Sequence, residues 1–228
     1  MNVHKIIWVT AFSQQYHDTV FSKVIDSWDL LPGNVEFLID DPLVKINSKY
    51  SMDIVNLGEL PSKNFSVAEI KFWKKSRSIV HAIEKYKENY DICIWLDADV
   101  QVLENPDLTL LLPNEDELLS ANRKIPKNNT AIDTGYVAFN LKHQKINQFL
   151  GLYKNFWNTN EINNLPYRYD TCVLEQVLFT APFNWKNLWN GDITKGKYYC
   201  GFEDSKLEKY FYHYWGKKRK ESKIIEKN

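Results

Sequence analysis

The chain has 228 residues, 44% of them hydrophobic, and its 29 Lys and Arg residues are balanced by 29 Asp and Glu residues. This composition predicts one globular domain with a large core, and it excludes a protein that holds nucleic acid through a net positive charge. No apolar run has the length of a membrane span, and the first residues lack the pattern of a signal peptide. Three widely spaced cysteines, Cys93, Cys172 and Cys200, are typical of reduced thiols, so we expect a cytoplasmic location.

The first part of the chain alternates between apolar runs and helical spacing. Residues 5–12 predict a buried strand that stops at a polar loop. Apolar residues recur at helical spacing through residues 18–31, which predicts a helix that ends at Pro32 and Gly33. Further strands are predicted at residues 34–41 and 52–58. A strand, helix, strand order favours a parallel sheet with crossover helices, and so an α/β fold.

The rest of the chain continues this alternation as far as residue 180. Beyond that point the sequence is aromatic and predicts irregular structure. Between these parts the spacing predicts, in order, a helix at 67–86, a strand at 92–96, a short helical segment within 105–113, a strand at 116–122, a polar loop at 123–130, a strand at 135–141, and helices at 143–158 and 169–180.

Two carboxylates follow one of the most apolar strands. Asp97 and Asp99 come directly after five apolar residues, 92–96. In a parallel sheet, ligands bind outside the carboxyl ends of the strands. Side chains two residues apart in an extended segment point to the same side, where like charges repel unless a cation lies between them. Oxygen ligands suit Mg²⁺ or Mn²⁺, and such a site commonly also binds substrate phosphates.

An acid pair of this kind has two other interpretations. A bare Asp-x-Asp is otherwise a pair of solvated acids that cap a turn. A phosphatase of the haloacid dehalogenase type also carries such a pair after a buried strand, but it expects the pair after the first strand and a Ser or Thr soon after. Here the pair lies near residue 97, and Val100 and Gln101 follow. The order of strands and helices therefore favours the metal site.

Several segments together resemble a known family. They occur in the family's order and cover most of the chain: "WVTAFSQQY", "FWKKSRSIV", "YDICIWLDADVQVLENPDLTLL", "AIDTGYVAFNLKH", "YDTCVLEQVLF" and "HYWGKKRK". The chain resembles glycosyltransferases with the GT-A fold, most closely family 8 (glycogenin-like enzymes and bacterial galactosyltransferases) and small phage and bacterial glycosyltransferases. The closing segment departs from the family's Lys-Pro-Trp ending, because Arg219 and Lys220 stand there.

The resemblance implies an architecture and a set of roles. It implies a Rossmann-like domain with a mostly parallel central sheet flanked by helices, a nucleotide-binding half at 1–105 and a sugar and acceptor half at 106–228. Asp97, Asp99 and His213 would bind Mn²⁺ or Mg²⁺. The nucleotide diphosphate would be contacted by Thr10, Ala11, Phe12, Tyr16 (which would stack on the base), Lys75 or Arg77, Asp97, Gly216 and Lys217. The transferred sugar would be surrounded by Asp133, Asp170, Glu175 and Gln176.

Some of these residues also have ordinary structural interpretations. Asp170 precedes a helix and is typical of an N-cap, and Asp133 is typical of a turn acid. His213 lies among tyrosines and could be a packing residue. Glu175 and Gln176 lie about one helical turn from Asp170, so the three could share a face.

The function that the resemblance implies is transfer of a sugar from a nucleotide diphosphate sugar, UDP-linked, to a hydroxyl acceptor. The motif order favours the retaining branch, whereas an inverting enzyme would need a carboxylate base such as Asp170 or Glu175. The acceptor stays open among a glycan, a lipid, a protein and a modified DNA base. The alternatives are a sugar-phosphate nucleotidyltransferase, which is disfavoured because "TAFSQQYHD" has no glycine, and a non-enzymatic module that binds glycans or nucleic acid.

Overall fold

A computed structural model describes residues 4–39, 49–60, 64–124, 131–165, 167–190 and 202–214. The strands are β1 (Ile6–Phe12), β2 (Asn34–Ile39), β3 (Ser51–Ile54), β4 (Ile92–Leu96), β5 (Val100–Val102), β6 (Leu119–Lys124), β7 (Ala131–Asn140), β8 (Trp185–Asn187) and β9 (Phe211–His213). The α-helices are α1 (Gln14–Thr19), α2 (Val67–Tyr86), α3 (Leu108–Leu111), α4 (Ile146–Asn158) and α5 (Asp170–Thr180), and 3₁₀ segments span Phe21–Lys23, Ile25–Leu30 and Asn160–Asn164.

Seven strands form the central sheet, in the order β3-β2-β1-β4-β7-β6-β8. β3, β2, β1 and β4 are mutually parallel, β7 runs against both of its neighbours, and β6 pairs with β8 in parallel. β5 and β9 form a separate antiparallel pair. The predicted α/β class, with a mostly parallel sheet flanked by helices, is confirmed. The division into halves at residue 105 stays a prediction.

Different elements cover the two faces of the sheet. One face is covered by α2, α4 and α5, whose apolar stripes bury side chains such as Ile83, Phe149 and Val177. The other face is covered by the 3₁₀ segments and the β5–β9 pair, which contribute Phe21, Trp28 and residues of β5 and β9. Because both faces are covered, β4 is buried along its whole length, as its continuous apolar sequence predicts.

The helix α2 begins and ends where the sequence predicts. Ser66 caps it, since its hydroxyl accepts from the Glu69 amide, and the Glu69 carboxylate accepts from the Ser66 amide in return. α2 connects β3 to β4, which are parallel, so the helix runs against them and its N-terminal end lies at the carboxyl edge of the sheet. This direction brings the first half of α2 next to the predicted site.

The predicted helix at 18–31 is wrong. The chain there forms the end of α1 and two 3₁₀ segments. Contacts with β5 explain the difference: the Trp28 indole donates to the Val100 carbonyl at 2.9 Å, and the Ser27 hydroxyl accepts from the Val102 amide at 2.9 Å. These tertiary hydrogen bonds compete with helical geometry, and helical spacing does not reveal them.

Other elements also differ from the predictions, among them β3, which ends at Ile54, and α4, which begins at Ile146. β7 begins at Ala131, earlier than the predicted start at 135, and β6 extends to Lys124. The segment after 180, which we predicted to be irregular, supplies β8 and β9.

In the part of the chain that the structure describes, no helix combines the length and apolar character that crossing a bilayer requires. Of the cysteines, Cys93 is buried and Cys172 half-buried with free thiols, while Cys200 lies outside the described residues.

Candidate active site

Two carboxylates and one imidazole converge beyond the end of β4. Ligand atoms of Asp97, Asp99 and His213 all lie within 4.8 Å of one another. The His213 Nε2 atom is 3.2 Å from Oδ1 of Asp99 and 3.8 Å from Oδ2 of Asp97. In an octahedral site with ligand distances of about 2.1 Å, adjacent ligand atoms would be about 3 Å apart. Closing this group onto a cation therefore needs only small side-chain shifts.

Backbone pairing holds these three side chains in place. β5 pairs with β9 so that Val100 lies opposite His213, and the Tyr214 amide donates to the Asp99 carbonyl at 2.9 Å. The Asp97 amide donates to the Gly135 carbonyl at 2.9 Å, which ties the acid pair to β7. Residues far apart in sequence are thus brought together by strand pairing, and side-chain flexibility plays little part.

Gly135 makes room for the histidine. A Cβ atom at this position would lie 2.6 Å from Cε1 and 2.8 Å from Nδ1 of His213. Such distances are too short for real contacts, so any larger residue would displace the imidazole. The Gly135 amide also donates to Oδ1 of Asp133 at 2.8 Å, which orients this acid toward the same ring. The close approach of the His213 ring therefore requires a glycine at this position of "IDTG".

His213 has an unusual electrostatic environment. Burial by itself lowers the pKa of the imidazole, but the charge and hydrogen bond of Asp99, followed by the charges of Asp133 and Asp97, raise the pKa to about 9. Its Nδ1 atom is buried without a hydrogen bond and lies 3.9 Å from Oδ1 of Asp133. Without a cation, a proton on His213 would thus balance the acids around it.

A buried lysine joins the acid pair to α5. The Lys75 ammonium lies 2.7 Å from Oδ1 of Asp97 and 3.0 Å from Oδ2 of Asp170, and it donates to the carbonyl and the hydroxyl of Thr134. The Thr134 hydroxyl donates to the same Asp170 oxygen at 2.6 Å. Although burial lowers the pKa of Lys75, the charges of Asp170 and Asp97 outweigh it and raise the pKa above its ordinary value. Lys75 is therefore a charged link between two acids.

Asp170 is not an N-cap. Tyr169 occupies that position, and Asp170 is the first residue of α5, with only 1% of its surface exposed. Its Oδ2 atom is held by Lys75 and Thr134, while its Oδ1 atom is buried without a hydrogen bond. A buried carboxylate oxygen without a donor is uncommon and often marks a functional group.

Four of the residues predicted to contact the nucleotide, Thr10, Ala11, Phe12 and Tyr16, lie at the end of β1 and in α1. Thr10 and Phe12 are buried, and the Phe12 ring packs in the core 4.5 Å from the Phe21 ring. Ala11 is half-buried. Tyr16 is half-buried in α1, with the Lys71 ammonium 5.2 Å from its ring centroid. Of this group, Ala11 and Tyr16 retain exposed surface that a ligand could contact.

Other predicted residues are engaged elsewhere. Arg77 donates to the Leu57 carbonyl at 3.2 Å. Glu175 accepts from the Arg123 guanidinium at 3.1 and 3.2 Å. Gln176 is exposed and reaches the hydroxyl of the threonine four residues further along α5. Glu175 and Gln176 thus bond to groups other than Asp170, so among the described residues no side-chain bond joins the three on a common face. Gly216 and Lys217 lie outside the described residues.

Two contributors were not predicted. Thr134 bridges Lys75 and Asp170, and the Trp95 indole donates to Oδ1 of Asp97 at 2.7 Å. A sequence signal existed for each: Trp95 lies two residues before Asp97 and so on the same side of the strand, and Thr134 lies beside Asp133 in the same segment. Neither signal is specific enough to identify the partner.

Similar folds occur among solved glycosyltransferases. The bifunctional glycosyltransferase WbbM, in its apo structure, superimposes with a TM-score of 0.51 and 12% identity, over 85% of this chain and 41% of that one. A glycosyltransferase involved in the glycosylation of the major capsid of PBCV-1 gives a TM-score of 0.54 and 18% identity, over 95% of this chain and 99% of that one. The chain thus spans less than half the length of WbbM.

Comparisons of sequence alone find no related family or protein. No protein-family model matches the chain, and no curated protein does so either. The relationship is therefore one of architecture: the chain has the fold of these glycosyltransferases.

Proposed function

We propose that the chain is a metal-dependent glycosyltransferase of the GT-A type, related to family 8 and acting in the cytoplasm, which transfers a sugar from a UDP-linked donor to a hydroxyl acceptor. The observation that carries this proposal is the convergence of Asp97, Asp99 and His213 at the carboxyl edge of the sheet. This edge is where α/β folds bind nucleotides. The shared fold with two glycosyltransferases supports the same reaction class.

The donor atoms fit a divalent cation, and Mn²⁺ fits them best. Carboxylates suit Mg²⁺ and Mn²⁺, whereas imidazole is a ligand of transition metals, so Mn²⁺ satisfies both kinds of donor. The buried Nδ1 atom of His213 faces Asp133, an arrangement that orients a metal-binding imidazole. When bound, the cation would neutralise the diphosphate and stabilise the charge that develops on the leaving group.

The surrounding residues would hold the donor. Ala11 and Tyr16 would line the base, with the buried Thr10 and Phe12 supporting this surface from the core, and Gly216 with Lys217 would approach the diphosphate. Arg77 remains a candidate diphosphate cation if it leaves the Leu57 carbonyl. Lys75 suits a different role from the one predicted. Its ammonium already has four oxygen neighbours, so it would hold Asp97 and Asp170 in place while the metal and Lys217 balance the phosphates.

The environment of Asp170 supports the retaining branch. Its Oδ2 atom is shared by an ammonium and a hydroxyl, and its unbonded Oδ1 atom would lie beside the transferred sugar with Asp133. A carboxylate fixed in this way is suited to stabilise positive charge at the anomeric carbon. Glu175 is paired with Arg123, which leaves it less available as a base. Gln176 is exposed and would contact the sugar only at the outer edge of the site. The anomeric configuration of the product, read by NMR, tests this choice.

The test of the proposed function is donor cleavage that depends on metal. Purified protein is incubated with a panel of sugar nucleotides and Mn²⁺ without acceptor, and release of nucleoside diphosphate is measured. We expect slow release from one UDP-sugar, loss of release in excess chelator, and recovery when Mn²⁺ is added back. Undiminished release in excess chelator would overturn the metal assignment, and the absence of release from every donor would overturn the reaction class.

A further inference from the structure

Two tyrosines stand exposed beside the buried group of Asp97, Lys75 and Asp170, called here the acid centre. Tyr167 and Tyr169, called here the tyrosine platform, are 62% and 38% exposed, and their rings stack with centroids 5.5 Å apart at an interplanar angle of 18°. Large apolar side chains normally lose surface on folding, so a stacked, exposed pair is a candidate contact surface. The residue that follows the platform is Asp170.

The location of the platform follows from its contacts with α2. The Tyr169 ring lies 4.6 Å from the Phe72 ring, while the neighbouring Asp170 carboxylate contacts Lys75. Phe72 precedes Lys75 by three residues, which is about 4.5 Å along the helix axis. Because the N-terminal end of α2 lies at the carboxyl edge of the sheet, the platform continues outward from the acid centre toward solvent. It forms a rim next to the place where the transferred sugar would lie.

The charges around the platform favour a neutral ligand. Arg168, between the two tyrosines, lies 3.6 Å from the Glu69 carboxylate and packs over the Phe65 ring. Lys71, on the neighbouring turn of α2, lies over the Tyr16 ring. Both cations thus have partners, and no array of free positive groups is seen there among the described residues. A nucleic-acid acceptor would need such groups for its phosphates.

We propose that the tyrosine platform binds the acceptor and that the acceptor is a carbohydrate, with a pyranose ring packed against the exposed ring of Tyr167 and the edge of Tyr169. The apolar face of a pyranose packs on an aromatic ring, while the phenol groups offer hydrogen bonds to its hydroxyls. This inference rests on the proposed function, since the platform is an acceptor site only if Asp170 faces the donor sugar. It narrows the acceptor to one chemical class.

The test is binding of simple pyranosides, which needs no turnover. Methyl glycosides of glucose, galactose, mannose and xylose are screened by saturation-transfer NMR in the presence of UDP and Mg²⁺. We expect at least one to bind the wild-type protein, and Tyr167→Ala or Tyr169→Ala to weaken that binding about tenfold, the effect of losing one stacking ring. Tyr167→Phe and Tyr169→Phe keep the ring and should retain most of the affinity.

A matched control separates the platform from general surface effects. Ile54, on the edge strand β3, is as exposed as Tyr167 at 62%, and Ile54→Ala should leave pyranoside binding unchanged. Thermal unfolding of each variant shows whether it is folded. If no pyranoside binds the wild type, if the Ala variants bind as well as the wild type, or if a single-stranded oligonucleotide binds through these rings while pyranosides do not, the inference is wrong.

Donor cleavage distinguishes this failure from failure of the proposed function. Donor cleavage by the wild-type protein without acceptor is measured beside the NMR screen, because it reports on the metal site and does not require the platform to bind a sugar. If pyranosides fail to bind while donor cleavage persists, the inference about the platform is wrong and the proposed function is unaffected. If the wild type cleaves no donor, the proposed function falls, and the NMR screen still decides whether the platform binds sugars.

Discussion

Tyr169 of the tyrosine platform directly precedes Asp170 of the acid centre, yet the two regions differ in burial and in the contacts that hold them. Asp170 is buried, and Lys75 and Thr134 hold one of its oxygens. Tyr167 is largely exposed and is held mainly by a neighbouring ring. A reacting centre must be rigid because small displacements cost much of the rate, whereas a surface that binds an acceptor can tolerate adjustment. Substitutions at the centre should therefore have larger effects than substitutions at the platform.

Removal of a metal ligand should have the largest effect. Asp99→Asn keeps the shape of the side chain but removes the charge, so we expect donor cleavage to fall about a thousandfold, as for loss of a principal electrostatic stabiliser. Steady-state release of nucleoside diphosphate measures this, with Mn²⁺ titrated to test for rescue. Glu104→Gln, at a half-exposed acid that only approaches Lys209, is the control. Near-normal activity of Asp99→Asn would remove Asp99 from the site.

Removal of the lysine link should destabilise the fold itself. Lys75→Met leaves Asp97 and Asp170 facing each other without a cation, and breaking a buried ion pair in this way costs about 3–5 kcal/mol. Urea unfolding in chelator measures the loss. Lys154→Met removes a partly exposed ion pair with Glu84 and should cost less than about 1 kcal/mol. Adding Asp170→Asn to Lys75→Met should recover part of the stability, and purely additive losses would contradict the link.

The metal-free protein should lose stability at high pH through His213. Its folded pKa of about 9 lies above the ordinary value of 6.5, so its contribution is complete below pH 6.5 and is lost as the pH rises through 9. A difference of this size corresponds to roughly 3 kcal/mol. Urea unfolding in excess chelator across this range, with His213→Gln for comparison, measures the effect. A variant that loses the same amount as the wild type would show that other groups cause the change.

Substitution by alanine should weaken metal binding at one glycine and stabilise the fold at another. Gly135→Ala drives a methyl group into the His213 ring, so we expect Mn²⁺ affinity to fall roughly ten- to a hundredfold, as when the orientation of a ligand is lost. Gly151, in the middle of α4, has open space at its Cβ position, and Gly151→Ala should stabilise the protein by about 1 kcal/mol. Metal titration and urea unfolding measure both variants. Unchanged metal affinity in Gly135→Ala would show that the ring adapts.

Most strands of the central sheet and the acid pair were predictable because their signals are local. The apolar run before Asp97 predicts a buried strand, and the apolar spacing of residues 67–86 predicts α2. Each of these features depends on residues a few positions apart, and their physics is that of one strand or one helix turn. The α/β class and the position of the acid pair therefore follow from the sequence alone.

Only the tertiary structure decided which groups face one another. The short pairing of β5 with β9 brings His213 to the acids. The resemblance of the closing segment to a known family implied this ligand, although the sequence after residue 180 has no clear strand pattern. The antiparallel β7 places Thr134 beside Lys75 and Asp170, and contacts of Ser27 and Trp28 with β5 replace a helix by 3₁₀ turns. These arrangements depend on hydrogen bonds and ion pairs between residues far apart in the chain. Such bonds form only when distant parts of the chain come together, so no local pattern of residues specifies them.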